Sequence, residues 1–242
     1  MLSMVKTISL NGLDGQLIDV QTDITSGIPS FEIVGLPDTT VKEAKERVKT
    51  AIKNLKYQFP SKKILINLAP ASLKKGGSTF DLPIAIGILL ALGIIEPKVQ
   101  TLLYNTIFIG EMSLSGKINR INGALPMCIE ARSMGIKKVI LPYSNSNEAG
   151  VVKGLEIIPV RTLKEVVEYL NGKSKIKSIE VNTKDIFEST YNSTLNFSDV
   201  KGQENAKRAL EIAAAGSHNC LLVGNPGSRK NYAFKKNTFN IT

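Results

Sequence analysis

Apolar and polar residues alternate over Met4 to Leu10 and again over Gln16 to Ile24, which predicts two strands with one buried face each. Asn11-Gly12-Leu13-Asp14-Gly15 between them has hairpin-turn chemistry. A third strand, Ser30 to Val34, follows Gly27-Ile28-Pro29. The period then changes. Val41, Ala44, Val48, Ala51, Ile52 and Leu55 recur at three- and four-residue spacing, so a helix capped by Asp38 or Thr39 runs to about Leu55. Its other face is Lys42, Glu43, Lys45, Glu46, Arg47, Lys49 and Lys53, the pattern of an amphipathic helix laid on a sheet. Ile64 to Leu68 reads as a short apolar strand. A Lys74-Lys75-Gly76-Gly77-Ser78 loop leads from it into a helix that starts at about Asp81.

The second half repeats the alternation of strand and helix. Strands are predicted at Thr106 to Gly110, Lys117 to Ile121, Lys138 to Leu141 and Leu155 to Pro159, with a turn at Leu114-Ser115-Gly116. Helices are predicted at Ala124 to Met134, near Ser146 to Val151, and at Leu163 to Leu170, where Gly172 ends the pattern. Mixed elements of this length predict a two-layer α/β (α+β) domain over residues 1–172. Residues 173–197 are rich in Ser, Thr, Asn and Lys and weakly periodic, so they read as an interdomain linker. A helix from Gly202 to Ala215 and a buried strand, Asn219 to Val223, follow.

Composition narrows the function classes. The longest apolar stretch, Leu82 to Ile95, is shorter than the roughly 20 residues of a bilayer span and reads as a core helix. Met1 to Gly15 has no apolar h-region, so no secretory signal and a cytoplasmic location are expected. Cys128 and Cys220 lie far apart, and His218 is the only histidine, so no metal site is expected. The net charge of +10 invites a nucleic-acid reading. Residues 1–172 hold +5 of it, and 229–242, which have no acid, hold +4. The rest is spread through pairs such as Lys62-Lys63 and Lys137-Lys138 without interleaved aromatics, which favours a solvated basic face over a DNA surface.

The sharpest motif comes late. After Cys220-Leu-Leu-Val223, the run Gly224-Asn-Pro-Gly-Ser-Arg-Lys-Asn231 stands where a strand leads into a phosphate loop, G-x-x-x-x-G-K-[ST]. Gly224, Gly227, Ser228 and Lys230 are the candidate phosphate contacts of a degenerate Walker A site. Arg229 replaces the last glycine, which lets backbone N–H groups close on phosphate, and Asn231 replaces the hydroxyl that ligates Mg²⁺.

Several segments together carry a family resemblance: Ser30-Phe-Glu-Ile-Val-Gly-Leu-Pro-Asp38, Lys42-Glu-Ala-Lys-Glu-Arg-Val48, Asn67-Leu-Ala-Pro-Ala71, Lys74-Lys-Gly-Gly-Ser-Thr-Phe-Asp-Leu-Pro-Ile-Ala85, Asp199-Val-Lys-Gly-Gln203 and Ala206-Lys-Arg-Ala-Leu-Glu-Ile-Ala-Ala-Ala215. In this order they resemble magnesium-chelatase-related AAA ATPases of the ComM/YifB type across residues 1–228. The resemblance implies a Lon-protease-like domain of the ribosomal S5 domain 2-like fold, then a linker, and the start of an AAA core at 198–228. It also implies ATP and Mg²⁺ as family cofactors, a homo-hexameric motor acting on DNA, and no membrane partner.

Lon proteins activate a serine with a lysine. Laying the Lon pattern K-D-G-P-S-A-G on Phe80 to Ile86 puts Ile84 at the serine, and the second motif puts Leu125 at the lysine. No peptidase activity is therefore expected, and Ser78 with Lys74 or Lys75 is the only rival dyad. For suitable codons, removing the first A of an AGG arginine codon at 229 makes the new frame read G-K-T-M-L-L-K-R-I-P-S-I-L-P. That string resembles a phosphate loop and its following helix, so residues 229–242 are expected to be a frame-shifted tail. On these grounds the chain is expected to bind no ATP tightly and to be a monomer or weak oligomer. The alternative is a stand-alone DNA- or protein-binding module.

Overall fold

The computed structural model describes residues 2–12, 14–73, 75–96, 98–99, 103–182, 202–216, 218–221 and 223. The chain divides into two units, Met1–Val181 and Asn182–Thr242. The residues after Val223, the candidate phosphate contacts and the 229–242 tail among them, lie outside the described residues.

The first unit is built on a seven-stranded sheet. In chain order its strands are β1 (Ser3–Asn11), β2 (Asp14–Thr25), β3 (Ser30–Val34), β4 (Lys63–Ala69), β5 (Thr106–Phe108), β8 (Lys138–Pro142) and β9 (Glu156–Val160). A two-strand hairpin, β6 (Glu111–Met112) and β7 (Ile118–Asn119), stands beside it. The spatial order is β3-β4-β2-β1-β5-β8-β9. The β1–β2 and β2–β4 pairs are antiparallel, and β3–β4, β1–β5, β5–β8 and β8–β9 are parallel. The opening hairpin closes with Asn11 opposite Asp14, and Gly12 sits at φ 66°, a conformation that glycine adopts without strain.

Alternation in the strands decides which faces are covered. In β2 every second residue from Ile18 to Ile24 is buried, which leaves Asp19, Gln21 and Asp23 on a half-exposed face. The buried face is covered by α1 (Thr39–Asn54), which packs Val41, Ala44, Val48, Ala51 and Ile52, and by α2 (Asp81–Ala91), buried along its whole length. In β8 and β9 the apolar run is continuous, as expected of parallel strands covered on both faces. Ile140 and Ile158 join the α1–α2 core, and Val139, Leu141 and Ile157 face a second core formed with α3 (Ala124–Ser133) and α4 (Ser146–Ala149). Two layers therefore describe the β3–β4 end, and three describe the β8–β9 end.

Helix α5 (Leu163–Leu170) returns to the first core through Leu163, Val166 and Val167, behind a capping box of Thr162 and Glu165. The polar stretch after Gly172 runs on along the unit. Ile176 packs against the first core, and the Ile179 and Val181 N–H groups donate to the Ile157 and Gly150 carbonyls. In the second unit α6 (Glu204–Ala215) buries Leu210 and Ala213. The strand expected at Asn219 to Val223 is not formed at the described positions 219–221 and 223. A strand needs a ladder partner for its N–H and C=O groups, and Leu221 and Val223 are exposed here.

Candidate functional site

The loop between β4 and α2 gathers most of the first unit's organised polar chemistry. It is held first by Asp38, the N-cap of α1. One carboxylate oxygen accepts the Val41 N–H at 2.8 Å, and the other accepts the Gly77 N–H at 3.3 Å. The backbone adds two bonds: the Asp38 N–H donates to the Lys75 carbonyl at 2.8 Å, and the Lys75 N–H to the Leu36 carbonyl at 3.1 Å. Gly77 sits at φ 92°, where an L side chain would be strained. Together these contacts bind the glycine-rich loop to the start of α1.

Lys75 is fully buried, and its ammonium donates to the Pro70 carbonyl. Burial lowers its pKa from the ordinary lysine value, because the charged form loses water. Its amine is directed to the backbone of its own loop. Ser78, the first residue of a single 3₁₀ turn before α2, donates its hydroxyl proton to Glu111. The β6–β7 register sets Asn119 opposite Glu111, and the Asn119 amide donates to the second carboxylate oxygen at 3.4 Å.

One step further in, Asp81 opens α2 with no exposed surface. Arg47 of α1 meets it bidentately, Nε at 2.8 Å and Nη2 at 2.9 Å, and the Met112 N–H donates to it at 3.0 Å. Burial pushes the Asp81 carboxyl up from its ordinary range, while Arg47 and the Met112 amide pull it down. The Asp81 hydrogen bond in turn raises Arg47. A guanidinium does not give up its proton in this setting, and both Asp81 oxygens accept from N–H donors, which is the hydrogen bonding of a carboxylate facing a cation. The Leu82 N–H donates to the Gly110 carbonyl and the Gly110 N–H to the Thr79 carbonyl, each at 3.1 Å, which ties the same turn to the end of β5.

The described contacts of this array hold the loop in place. A serine nucleophile needs an adjacent base such as histidine or lysine. Ser78 instead faces a carboxylate, and Lys75 is spent on Pro70; Lys74 lies outside the described residues. The Gly77, Leu82 and Met112 N–H groups each have acceptors within the fold. Ile84 is fully buried in the first core, whereas Leu125 on α3 packs against the second, so the two positions that replace the Lon dyad are not brought together. Among the described residues no three of His, Cys, Asp and Glu converge as a metal site, and no helix is long and apolar enough to cross a membrane.

Sequence reasoning missed Arg47–Asp81 and Glu111–Asn119. The first pair is 34 residues apart, and periodicity places Arg47 on the outer face of α1. A signal was present for Asp81, an acid at the head of an otherwise wholly apolar helix, which must be paired if it is buried.

Comparison with known proteins adds the lineage. Residues 20–145 match the family described as subunit ChlI of Mg-chelatase, and residues 196–237 match the family described as magnesium chelatase, subunit ChlI. The chain is 39% identical over 233 residues to the competence protein ComM of Haemophilus influenzae, covering 95% of this chain and 44% of ComM. It is 41% identical over 229 residues to the uncharacterized protein YifB of Escherichia coli, with coverages of 95% and 44%. Lon protease 2 of Bacillus subtilis is 30% identical over 172 residues, covering 64% of this chain and 30% of the protease. The chain thus spans a little under half the length of ComM and YifB.

Proposed function

We propose, for a chain that belongs to the family of magnesium chelatase subunit ChlI, that it supplies the Lon-like domain and the first part of the ATPase core of a ComM/YifB-type AAA ATPase, a motor acting on DNA. The observation that carries this reading is the likeness to ComM and YifB, which runs over 95% of the chain in each case, beside the family match over residues 196–237 that includes the phosphate loop. The Lon-like domain serves as scaffold and contact surface rather than as a peptidase, because Ile84 stands at the position that the Lon pattern gives to the serine nucleophile and has no group that can attack a carbonyl.

ATP and Mg²⁺ are the cofactors of the family reading, and the loop that would hold them does not fit in this sequence. Gly224, Gly227 and Ser228 retain backbone N–H groups and Lys230 a cation that suit phosphate. In the motif Arg229 replaces the glycine whose bare backbone lets phosphate approach, and Asn231 is a poor substitute for the hydroxyl that ligates Mg²⁺. Calorimetric titration of the chain with Mg-ATP tests the reading. No binding tighter than millimolar is expected, and a micromolar affinity would overturn it.

A further inference from the structure

The groove between α1, β3 and the segment before β4 carries chemistry that neither the ATPase nor the Lon-like reading uses. It is a cavity of about 320 Å³. One wall is the outer face of α1, where Lys45, Lys49 and Lys53 follow at successive turns, and Lys62 adds a fourth cation. Phe31 of β3 and Phe59 form the apolar part, their ring centroids 6.0 Å apart and their planes tilted by 37°. Both rings are half-buried, with the first core behind them.

The charge is unbalanced. Among the described residues no ion pair forms at any of the four lysines, and Glu46 is the only acid lining the cavity. Lys45 and Lys49 lie with half-buried stems, while Lys53 and Lys62 are exposed. That is the arrangement of side chains that cover apolar surface and present cations at its edge. Phe31 and Phe59 are distant in sequence and supply the aromatic component that the charge pattern alone lacks.

We propose that this groove binds single-stranded DNA, with phosphates on the lysine row and bases against Phe31 and Phe59. The proposal rests on the DNA-directed reading above. Cations that track a backbone beside rings that stack on bases are the two components of sequence-tolerant single-strand binding. Lys45 to Lys53 spans about 12 Å of helix, the length of on the order of three stacked nucleotides. An acidic peptide would use the lysines and leave the rings without stacking partners. A duplex keeps its base faces stacked inside the helix, away from both rings.

The test uses the full chain and a labelled oligothymidylate of about 15 nucleotides, followed by fluorescence anisotropy from about 50 to 200 mM salt. Replacing Lys45, Lys49 and Lys53 together by Gln is expected to weaken binding at least tenfold at low salt. It should also flatten the slope of log affinity against log salt by about 2, because each phosphate contact on a single strand contributes roughly 0.7. Replacing Phe31 and Phe59 by Leu keeps the apolar filling and is expected to weaken binding about tenfold with the salt slope unchanged. Circular dichroism confirms that each variant is folded. The cations of residues 229–242 are common to every variant, so the differences report on the groove. Wild-type affinity in both variants overturns the proposal, as does equal binding of duplex, or displacement of the oligonucleotide by polyglutamate from the Leu variant and wild type alike. Each of these results leaves the family reading to the ATP titration, which probes other residues.

Discussion

Arg47 and Lys49 leave the same helix two residues apart, and their surroundings treat them in opposite ways. Arg47 turns inward, and its guanidinium is used up by a carboxylate with no exposed surface. Lys49 lines the groove with Lys45 and Lys53, and among the described residues no acid forms an ion pair with it. A charge whose counter-ion belongs to the fold works for the fold, and removing it leaves the partner buried and unpaired. A charge whose counter-ion must come from outside adds little to the fold and is free to meet a phosphate. Variants of the two sites should therefore separate cleanly into losses of stability and losses of binding.

The largest effect is expected at the inward charge. Arg47→Ala strands the Asp81 carboxylate beside α2 with only the Met112 amide for company, at a destabilisation of about 3–5 kcal/mol. Urea unfolding followed by circular dichroism measures it. Replacing Arg47 and Asp81 together by Leu should recover a large part of that loss, because no buried charge remains. A single-variant loss below about 1 kcal/mol would mean that water reaches Asp81 when Arg47 is removed, and would undo the contrast between the two sites.

Cys128 shows what burial does to an ionisable group without a counter-ion. It is fully buried on α3, and burial, with a smaller contribution from Glu148, pushes its thiol up to about 12. Its folded value lies above its unfolded one, near 9. The stability it contributes is therefore complete below about pH 9 and is lost as pH rises towards 12. Each pH unit in that window removes about 1.4 kcal/mol, so about 2 kcal/mol is gone by pH 10.5. Unfolding of the native chain and of Cys128→Ala, compared across that range, should converge as pH rises. Parallel pH profiles would show that the thiol is not sealed from water.

Ser78→Ala gives a smaller effect. The Glu111 carboxylate keeps Asn119 as donor and sits near the surface, so the loss should be about 1 kcal/mol. The variant also checks the reading of the loop as a positioning device. Glu111 would retain its place opposite Asn119 in the β6–β7 pair, and a fluorophosphonate probe should leave Ser78 unlabelled in the native chain. Labelling would make the serine a nucleophile and move this loop from scaffold to chemistry.

Much of this fold was legible in the residue pattern. The alternation of β1 and β2, the three- and four-residue spacing of α1 and the apolar run of α2 each report burial by one local period. The second cover of β8 and β9 was also written in their unbroken apolar runs, which a two-layer reading leaves half unexplained. The site was less legible, because its contacts join elements that the sequence separates. Arg47 lies on a face that periodicity assigns to solvent, and Phe31 reaches Phe59 only because β3 and β4 are adjacent and parallel. The segment 219–223 has the composition of a strand without a ladder partner among the described residues, and composition does not create one.

The outward charges give the smallest change in stability and the sharpest version of the contrast. Lys45, Lys49 and Lys53 are like charges four residues apart on one helix, a spacing that destabilises a helix by about 0.2–0.5 kcal/mol per pair. Gln has nearly the same helix propensity as Lys, so the triple Gln variant removes the repulsion without weakening the helix. Its stability in urea should match the native chain or rise slightly, by no more than about 1 kcal/mol for the two pairs. A fall of 1 kcal/mol or more would mean that these lysines have partners within the fold, and their use for phosphate would then compete with folding. An unchanged midpoint beside a flattened salt dependence would mean that α1 carries a row of charge the fold does not need, two residues from one it cannot lose.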